Sequence, residues 1–167
     1  MNHNLTFDFT VDRENNSITI KREFAAEVPL VWDAFTKKEI LDQWWAPKPW
    51  KAKTKSMDLR DGGHWLYAMV GPDGTEHWSV LNYGEVKQQQ QFSGKDAFTD
   101  PEGKINPEMP QSEWGVTFTD ESTSTLVEIR ISYTDTEQLD ATIEMGFKEG
   151  ITMTIEQLDK LLPELKK

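Results

Sequence analysis

Aromatic side chains in the central part of the sequence are the first candidates for a functional site. They recur at every second position, as Trp65 and Tyr67 do, and this spacing places neighbouring rings on one face of a strand. Such a face can either fill a core or line an apolar pocket for a small molecule. The residues predicted to line this pocket, including two from a C-terminal helix, are Trp65, Tyr67, Met69, Trp78, Tyr83, Glu85, Trp114, Phe118, Phe147 and Ile151.

Glu85 is the polar residue most favoured for that pocket, because it follows Tyr83 by two positions in a predicted strand. A carboxyl group in apolar surroundings has a raised pKa and can act as a general acid. Asp58 and Arg60 also share a strand face, but an ion pair between them is the favoured interpretation. Adaptable side chains that could fit apolar ligands of variable shape are Met57, Met69, Met145 and Met153.

His64 and His77 are the third group of candidates, since they lie on adjacent predicted strands joined by a turn. Together with Glu76 or Glu85 they could hold a metal ion, but two histidines without a firm third ligand are a weak pattern. A surface pair is therefore the favoured interpretation. The sequence also has no nucleophilic triad, glycine-rich phosphate loop or metalloprotease motif. We therefore predict no catalytic residue, metal or cofactor, and we favour a protein without enzymatic activity.

Composition excludes several other classes of function. The chain has 167 residues, 18 basic and 29 acidic, with a net charge of -11, so phosphate backbones repel it and nucleic-acid binding is not expected. It has no cysteine and therefore no disulfide framework or thiol nucleophile. No apolar run approaches the ~20 residues of a membrane span, and no secretory signal is recognisable. We expect one cytoplasmic domain over residues 1–167 without membrane insertion.

The strands and helices that position these candidates are predicted from the spacing of apolar residues, which changes along the chain between the strand period and the helix period. Residues 5–11 and 18–25 alternate and predict a hairpin, and apolar residues at helical spacing then predict two short helices, one around residues 28–35 and one over residues 38–45. Period-two patterns from residue 53 onward predict six further strands, one of them over residues 91–95. The longest irregular stretch, residues 97–111, contains three prolines and a glycine and is a candidate lid over the pocket.

The pattern of apolar residues in the C-terminal region predicts one long amphipathic helix. Its apolar residues recur at spacings of three and four, so they share one face that must pack against the rest of the domain. Gly146 and Gly150 weaken this helix and mark a kink or a close approach to another segment. The apolar face consists of Leu139, Ile143, Phe147, Ile151, Ile155, Leu158, Leu162 and Leu165. Sequential hairpins followed by a terminal helix predict an α+β fold with an antiparallel sheet.

Several short motifs, taken in their order, resemble one protein family. The helical region reads Val31-Trp32-Asp33-Ala34-Phe35-Thr36 and then Leu41-Asp42-Gln43-Trp44-Trp45-Ala46-Pro47, which is similar to a VWxAxT…WWxP signature. The segment from Asp58 to Trp65 resembles a D-x-R-x-G-G-x-W hairpin, and residues 146–161 resemble a glycine-containing C-terminal helix. Over about residues 18–163 the chain thus resembles the activator of Hsp-ninety ATPase homologue family, a branch of the START-like (SRPBCC) superfamily.

This resemblance implies a helix-grip fold, in which a curved antiparallel sheet wraps around a long C-terminal helix and two short helices follow the N-terminal strands. In the superfamily, the space between sheet and helix often holds an apolar ligand. The predicted function is therefore binding of a small hydrophobic or amphipathic molecule, lipid-like or aromatic, in that cavity. Two alternatives stay open: a chaperone-interacting module related to the ATPase activator, and a cyclase- or hydrolase-type enzyme that uses a cavity carboxylate.

Overall fold

The strands and helices follow the predicted order in a computed structural model that describes residues 5–166. Two strands precede two short helices, six strands follow, and the chain ends in helices. The elements are β1 (Phe7–Asp12), β2 (Ser17–Phe24), α1 (Val28–Thr36), α2 (Lys38–Trp44), β3 (Lys51–Asp58), β4 (His64–Val70), β5 (Glu76–Lys87), β6 (Gln91–Thr99), β7 (Gln111–Asp120), β8 (Thr125–Tyr133), α3 (Thr136–Glu144) and α4 (Phe147–Leu165).

The eight strands form one antiparallel sheet in the order β1-β2-β8-β7-β6-β5-β4-β3. Consecutive strands from β3 to β8 pair as hairpins, as their alternating patterns and turn residues predict. The N-terminal hairpin joins the sheet because β2 pairs with β8, with Ile18 opposite Ile131 and Ile20 opposite Ile129. All four isoleucines are buried.

One edge of the sheet is β3, which pairs only with β4 in this sheet order. Lys51, Lys53 and Lys55 are exposed along this strand. The pairing register also shifts between Thr54 and Ser56, so the edge carries a bulge.

The helices cover one face of the sheet and enclose the main core. Leu158 of α4 is fully buried, and Ile155 and Leu162 on the same face are each 2% exposed. Phe35 of α1 packs edge-on against Trp44 of α2, with ring centroids 5.0 Å apart. The α+β helix-grip fold expected from the sequence is confirmed, because the sheet packs against a C-terminal helix and two short helices follow β2.

The C-terminal helix is broken at Gly146, so the prediction of one continuous helix is wrong. Gly146 has φ of +87° and immediately precedes α4, a backbone conformation that side-chain-bearing residues rarely adopt. Gly150 lies inside α4, where an added Cβ would sit 4.0 Å from Pro47 Cγ. Gly146 therefore marks the break between α3 and α4, and Gly150 marks the close approach of α4 to the segment after α2.

These two glycines provide a matched test of the break. Gly146→Ala should lower the free energy of unfolding by about 1–2 kcal/mol, because alanine is strained at positive φ. Gly150→Ala should raise it by up to about 1 kcal/mol, because alanine favours the helix and its Cβ meets only an ordinary contact. Urea denaturation measures both. Equal effects of the same sign would contradict the helix break.

Residues 100–110 lie against the outer face of the sheet, so the prediction of a lid over the pocket is wrong. Lys55 Nζ donates to the carbonyl of Pro101 at 2.7 Å, and Gly103 lies next to Leu66. Leu66 packs with Val80 in a small cluster separate from the main core. The first part of the predicted loop, residues 97–99, is the end of β6. The segment therefore covers an apolar patch on the side opposite the helices.

Candidate ligand-binding site

A small apolar cavity lies between the sheet and the two short helices. Its volume is about 20 Å³, enough for about one water-sized group. The lining residues come from α1, α2, the connection after α2, and β4 to β8: Phe35, Leu41, Trp45, Trp65, Tyr67, Leu81, Tyr83, Phe92, Asp96, Trp114, Val116 and Ile129. None of these residues belongs to α3 or α4. The cavity is therefore displaced from the predicted position between the sheet and the C-terminal helix.

Four of the predicted pocket residues line this cavity: Trp65, Tyr67, Tyr83 and Trp114. Trp65 and Tyr67 lie two positions apart on β4 and stack with ring centroids 4.1 Å apart, as the alternation predicts. Tyr83 of β5 and Trp114 of β7 reach the same space from the neighbouring strands. The strand pattern therefore identified the aromatic wall on the sheet side.

Four other predicted residues pack in or against the core outside the cavity. Met69 is partly buried, and Phe118 is buried beside Trp32, at 5.1 Å between ring centroids. Phe147 contacts Phe9 and Trp114, and Ile151 is buried on α4. The other three methionines that were predicted as adaptable pocket residues are also outside the lining: Met57 is partly buried, Met145 is 54% exposed and Met153 is 43% exposed.

Trp78 and Glu85 lie away from the cavity, so their predicted placement is wrong. Trp78 packs with Leu66 and Val80 on the outer face, because it is an even-numbered position on a strand whose odd-numbered positions face inward. The register of β5 against β6 shifts between Tyr83 and Val86. This bulge breaks the period of two, and Glu85 becomes exposed and accepts from Gln91 Nε2 at 3.1 Å.

Trp45 closes the cavity on the helix side. It directly follows α2, and its ring centroid lies 5.6 Å from that of Trp65 and 6.1 Å from that of Trp114. Its Nε1 donates to the hydroxyl of Tyr67 at 3.0 Å. Trp45 is only partly buried, so part of this residue is accessible to solvent. It is therefore the residue whose displacement would open the cavity.

Gln157 of α4 holds the segment that carries Trp45. Its Nε2 donates to the carbonyls of Trp44, at 3.0 Å, and Ala46, at 2.8 Å. Its Oε1 accepts from the backbone N–H of Lys48 at 2.9 Å. A single side chain thus satisfies three backbone groups that the end of α2 and the following prolines leave without helical partners. Through this contact, α4 positions the cavity wall without lining it.

Asp96 is the single charged residue of the cavity lining. It lies on β6, opposite Leu81 on one side and Ser112 on the other. No hydrogen bond or ion pair from the described residues satisfies its carboxyl group, and Ser112 Oγ accepts instead from Trp114 Nε1 at 3.0 Å. Burial raises the pKa of Asp96 to about 7. This carboxyl group can therefore gain or lose a proton near neutral pH.

Sequence reasoning missed Asp96 because the predicted strand ended one residue before it, at position 95. The available signal was the alternation Phe92, Gly94, Asp96, which continues the inward face of β6. A Cβ at Gly94 would lie 2.8 Å from Leu81 Cδ1, so this face is tightly packed beside Asp96. Trp45 was predicted as an apolar residue at the end of the second short helix, but helical spacing alone did not show that its ring faces the sheet.

Tyr67 and Tyr133 lie near Asp96, Tyr83 lines the same cavity, and none of the three shares the titration range of Asp96. Burial raises the pKa of Tyr67, of Tyr83 and of Tyr133 above the ordinary tyrosine value. The negative charge of Asp96 adds to this effect on Tyr67 and Tyr133. All three hydroxyls therefore stay neutral across the range in which Asp96 ionises.

The remaining polar candidates lie outside the cavity. His64 accepts or donates a hydrogen bond with Ser56 Oγ at 2.8 Å, whereas His77 packs against Trp50 at 5.2 Å between ring centroids, so the two histidines do not form a pair. Within residues 5–166, no group of three His, Cys, Asp or Glu side chains is placed to hold a metal ion. Arg60 and Asp58 form the predicted ion pair, with Nε and Oδ2 2.6 Å apart.

An antiparallel sheet against a C-terminal helix, with an aromatic cavity beneath two short helices, defines a helix-grip domain of the START-like class. Residues 25–163 match the family described as Activator of Hsp90 ATPase homolog 1-like protein. The chain belongs to this family, as its motifs indicated. No helix within residues 5–166 has the length and apolar character needed to cross a membrane.

Several solved structures are similar along nearly their whole length. The crystal structure of Ms6760 from Mycobacterium smegmatis is 32% identical, with a TM-score of 0.86 over 95% of this chain and 96% of that one. A protein from Arthrobacter aurescens, solved by NMR, is 29% identical, with a TM-score of 0.88 over 94% of this chain and 91% of that one. Comparison with curated proteins gives no match.

Proposed function

We propose that the protein binds a small hydrophobic or amphipathic molecule in the cavity behind Trp45. The observation that carries this proposal is the Asp96 carboxyl group, which has no partner inside a wall of aromatic and aliphatic side chains. Asp96 is partly buried, so its carboxyl group loses part of its hydration and gains no protein partner in return, which opposes folding. A ligand with one polar group and an apolar body would satisfy both parts of the site.

The cavity is too small for such a molecule unless a wall residue moves. A volume of about 20 Å³ admits only a water-sized group, so a larger ligand must displace Trp45. The hydrogen bond from Trp45 to Tyr67 contributes about 1 kcal/mol and opposes this displacement. The new space then adjoins Trp65 and Trp114, whose rings supply the apolar contact.

The test is a titration with a panel of sterols, flavonoids and aromatic amphiphiles, followed by the tryptophan indole N–H signals in NMR. We expect binding to shift the signals of Trp45 and Trp114. Trp45→Phe keeps a ring but removes the bond to Tyr67, so it should tighten binding severalfold. Trp50→Phe, outside the cavity, is the control. If no compound shifts either signal in any of these proteins, the proposal fails.

A second candidate is an interaction with a chaperone, which the match to the Hsp90 ATPase activator family favours. With a net charge of -11, the protein would meet a basic surface on its partner, and charge would set much of the encounter rate. Such binding should weaken as salt rises, whereas filling an apolar cavity should not. Both candidates assume a cytoplasmic location, as the sequence suggests. Pull-down of Hsp90 at low and high salt distinguishes them.

A further inference from the structure

We propose that the group bound beside Asp96 is an organic ammonium ion, so that the ligand is an amphipathic amine. This inference rests on the proposed ligand-binding function and narrows its chemistry. Asp96 is the single charged residue among the lining, and no Lys, Arg or His reaches the space from the described part of the chain.

The charge balance of the site favours a cation over other polar groups. An ionised carboxylate in apolar surroundings needs a charged or strongly donating partner, and a charge-assisted hydrogen bond is stronger than a neutral one. An ammonium group supplies three donors and the opposite charge. A ligand carboxylate would instead be repelled by the Asp96 carboxylate and by the net charge of -11 on the protein. Fatty acids are therefore poor candidates.

The aromatic walls favour the same group. Tryptophan and tyrosine rings attract a cation that lies against their faces. Apart from Trp45, which the ligand displaces, Trp65, Tyr67 and Trp114 line the space, and the centroids of Trp65 and Tyr67 lie 4.1 Å apart. The cavity of about 20 Å³ matches a primary ammonium group in size. The apolar body of the amine would then occupy the position that the Trp45 ring leaves.

Three probes of one shape separate charge from size: 2-naphthylmethylamine, 2-naphthylmethanol and 2-naphthoate, titrated by calorimetry. We expect the amine to bind at least tenfold more tightly than the alcohol, and the carboxylate to show no binding. Asp96→Asn should remove the preference for the amine. Glu85→Gln removes an exposed carboxylate outside the cavity and is the matched control. This variant should keep the preference for the amine.

Wild-type protein alone provides a second test. Since the pKa of Asp96 is about 7, amine affinity should rise about tenfold from pH 6 to pH 8, as the carboxylate forms. The other titratable groups near Asp96 in the described residues are Tyr67 and Tyr133, with Tyr83 in the same cavity lining, and all three remain neutral in this range. The alcohol should show no such rise.

The outcomes distinguish this inference from the proposed function. If the amine and the alcohol bind equally well, or if Asp96→Asn keeps the preference, the inference is wrong while the binding function stands. If no probe binds and NMR shows only a water beside Asp96, the inference and the proposed binding function both fail. Tighter amine binding that depends on Asp96 and rises with pH supports both.

Discussion

Asp96→Asn should gain about 2 kcal/mol of stability over the wild-type protein as the pH rises from 5 to 8. Burial raises the pKa of Asp96 from 3.8 to about 7, so the folded state holds this proton more tightly than the unfolded state. Between these two values, rising pH therefore destabilises the wild type. Taken at full size, this pKa shift would cost the wild type slightly more than about 2 kcal/mol between pH 5 and pH 8. Partial exposure of Asp96 reduces that cost. Asparagine does not titrate and escapes this loss.

Urea denaturation of both proteins at pH 5, 6, 7 and 8 measures the difference, and titrations common to both proteins cancel. Glu85→Gln is again the control, because it removes a carboxylate from the exposed surface. It should not show the gain in stability over wild type that is expected for Asp96→Asn. Parallel pH curves for wild type and Asp96→Asn would show that Asp96 is well solvated, and would remove the main support for a buried polar site.

Gln157→Ala should lower the free energy of unfolding by about 2–3 kcal/mol and loosen the segment that carries Trp45. The substitution removes three hydrogen bonds to the backbone, each contributing about 1 kcal/mol. Amide hydrogen exchange at Lys48 should become faster than in wild type, because its N–H loses the partner on α4. Hydrogen exchange and urea denaturation measure the two effects.

Gln157→Glu provides a sharper comparison. Its carboxylate can still accept from Lys48 N–H, but it faces the carbonyls of Trp44 and Ala46 without donors. It should therefore be at least as destabilising as alanine despite its similar shape. Gln43→Ala removes one exposed bond to Glu39 and should change stability by less than about 0.5 kcal/mol. Equal effects of all three substitutions would show that Gln157 does not hold the segment.

The sequence predicted the elements better than the site, for physical reasons that particular residues show. Alternation is a local property, so Trp65 and Tyr67 could be placed on one face from spacing alone. A bulge is set by pairing with the next strand, and it moved Glu85 to the surface without any local signal. The polar residue of the cavity, Asp96, was missed because the pattern alone ended this strand at residue 95, whereas β6 continues to Thr99.

The position of the cavity depended on how helices cover the sheet. Periodicity predicted that α4 is amphipathic, and Leu158 and Leu162 are indeed buried. It did not predict which strands α4 covers and which strands the two short helices cover. Trp45 and Phe35 line the cavity only because of this long-range arrangement. A resemblance to a family supplied the fold, but residue roles required the packing of this chain.

The lysines and the bulge of β3 also affect how the protein behaves at high concentration. An open sheet ends in unpaired backbone groups, which can pair with the edge of another molecule and begin aggregation. Docking two such edges would bring Lys51, Lys53 and Lys55 of each copy together and would meet an irregular register at Thr54. Like charges and a distorted strand both oppose this pairing. The β3 edge is thereby protected against growth of the sheet from one molecule to the next.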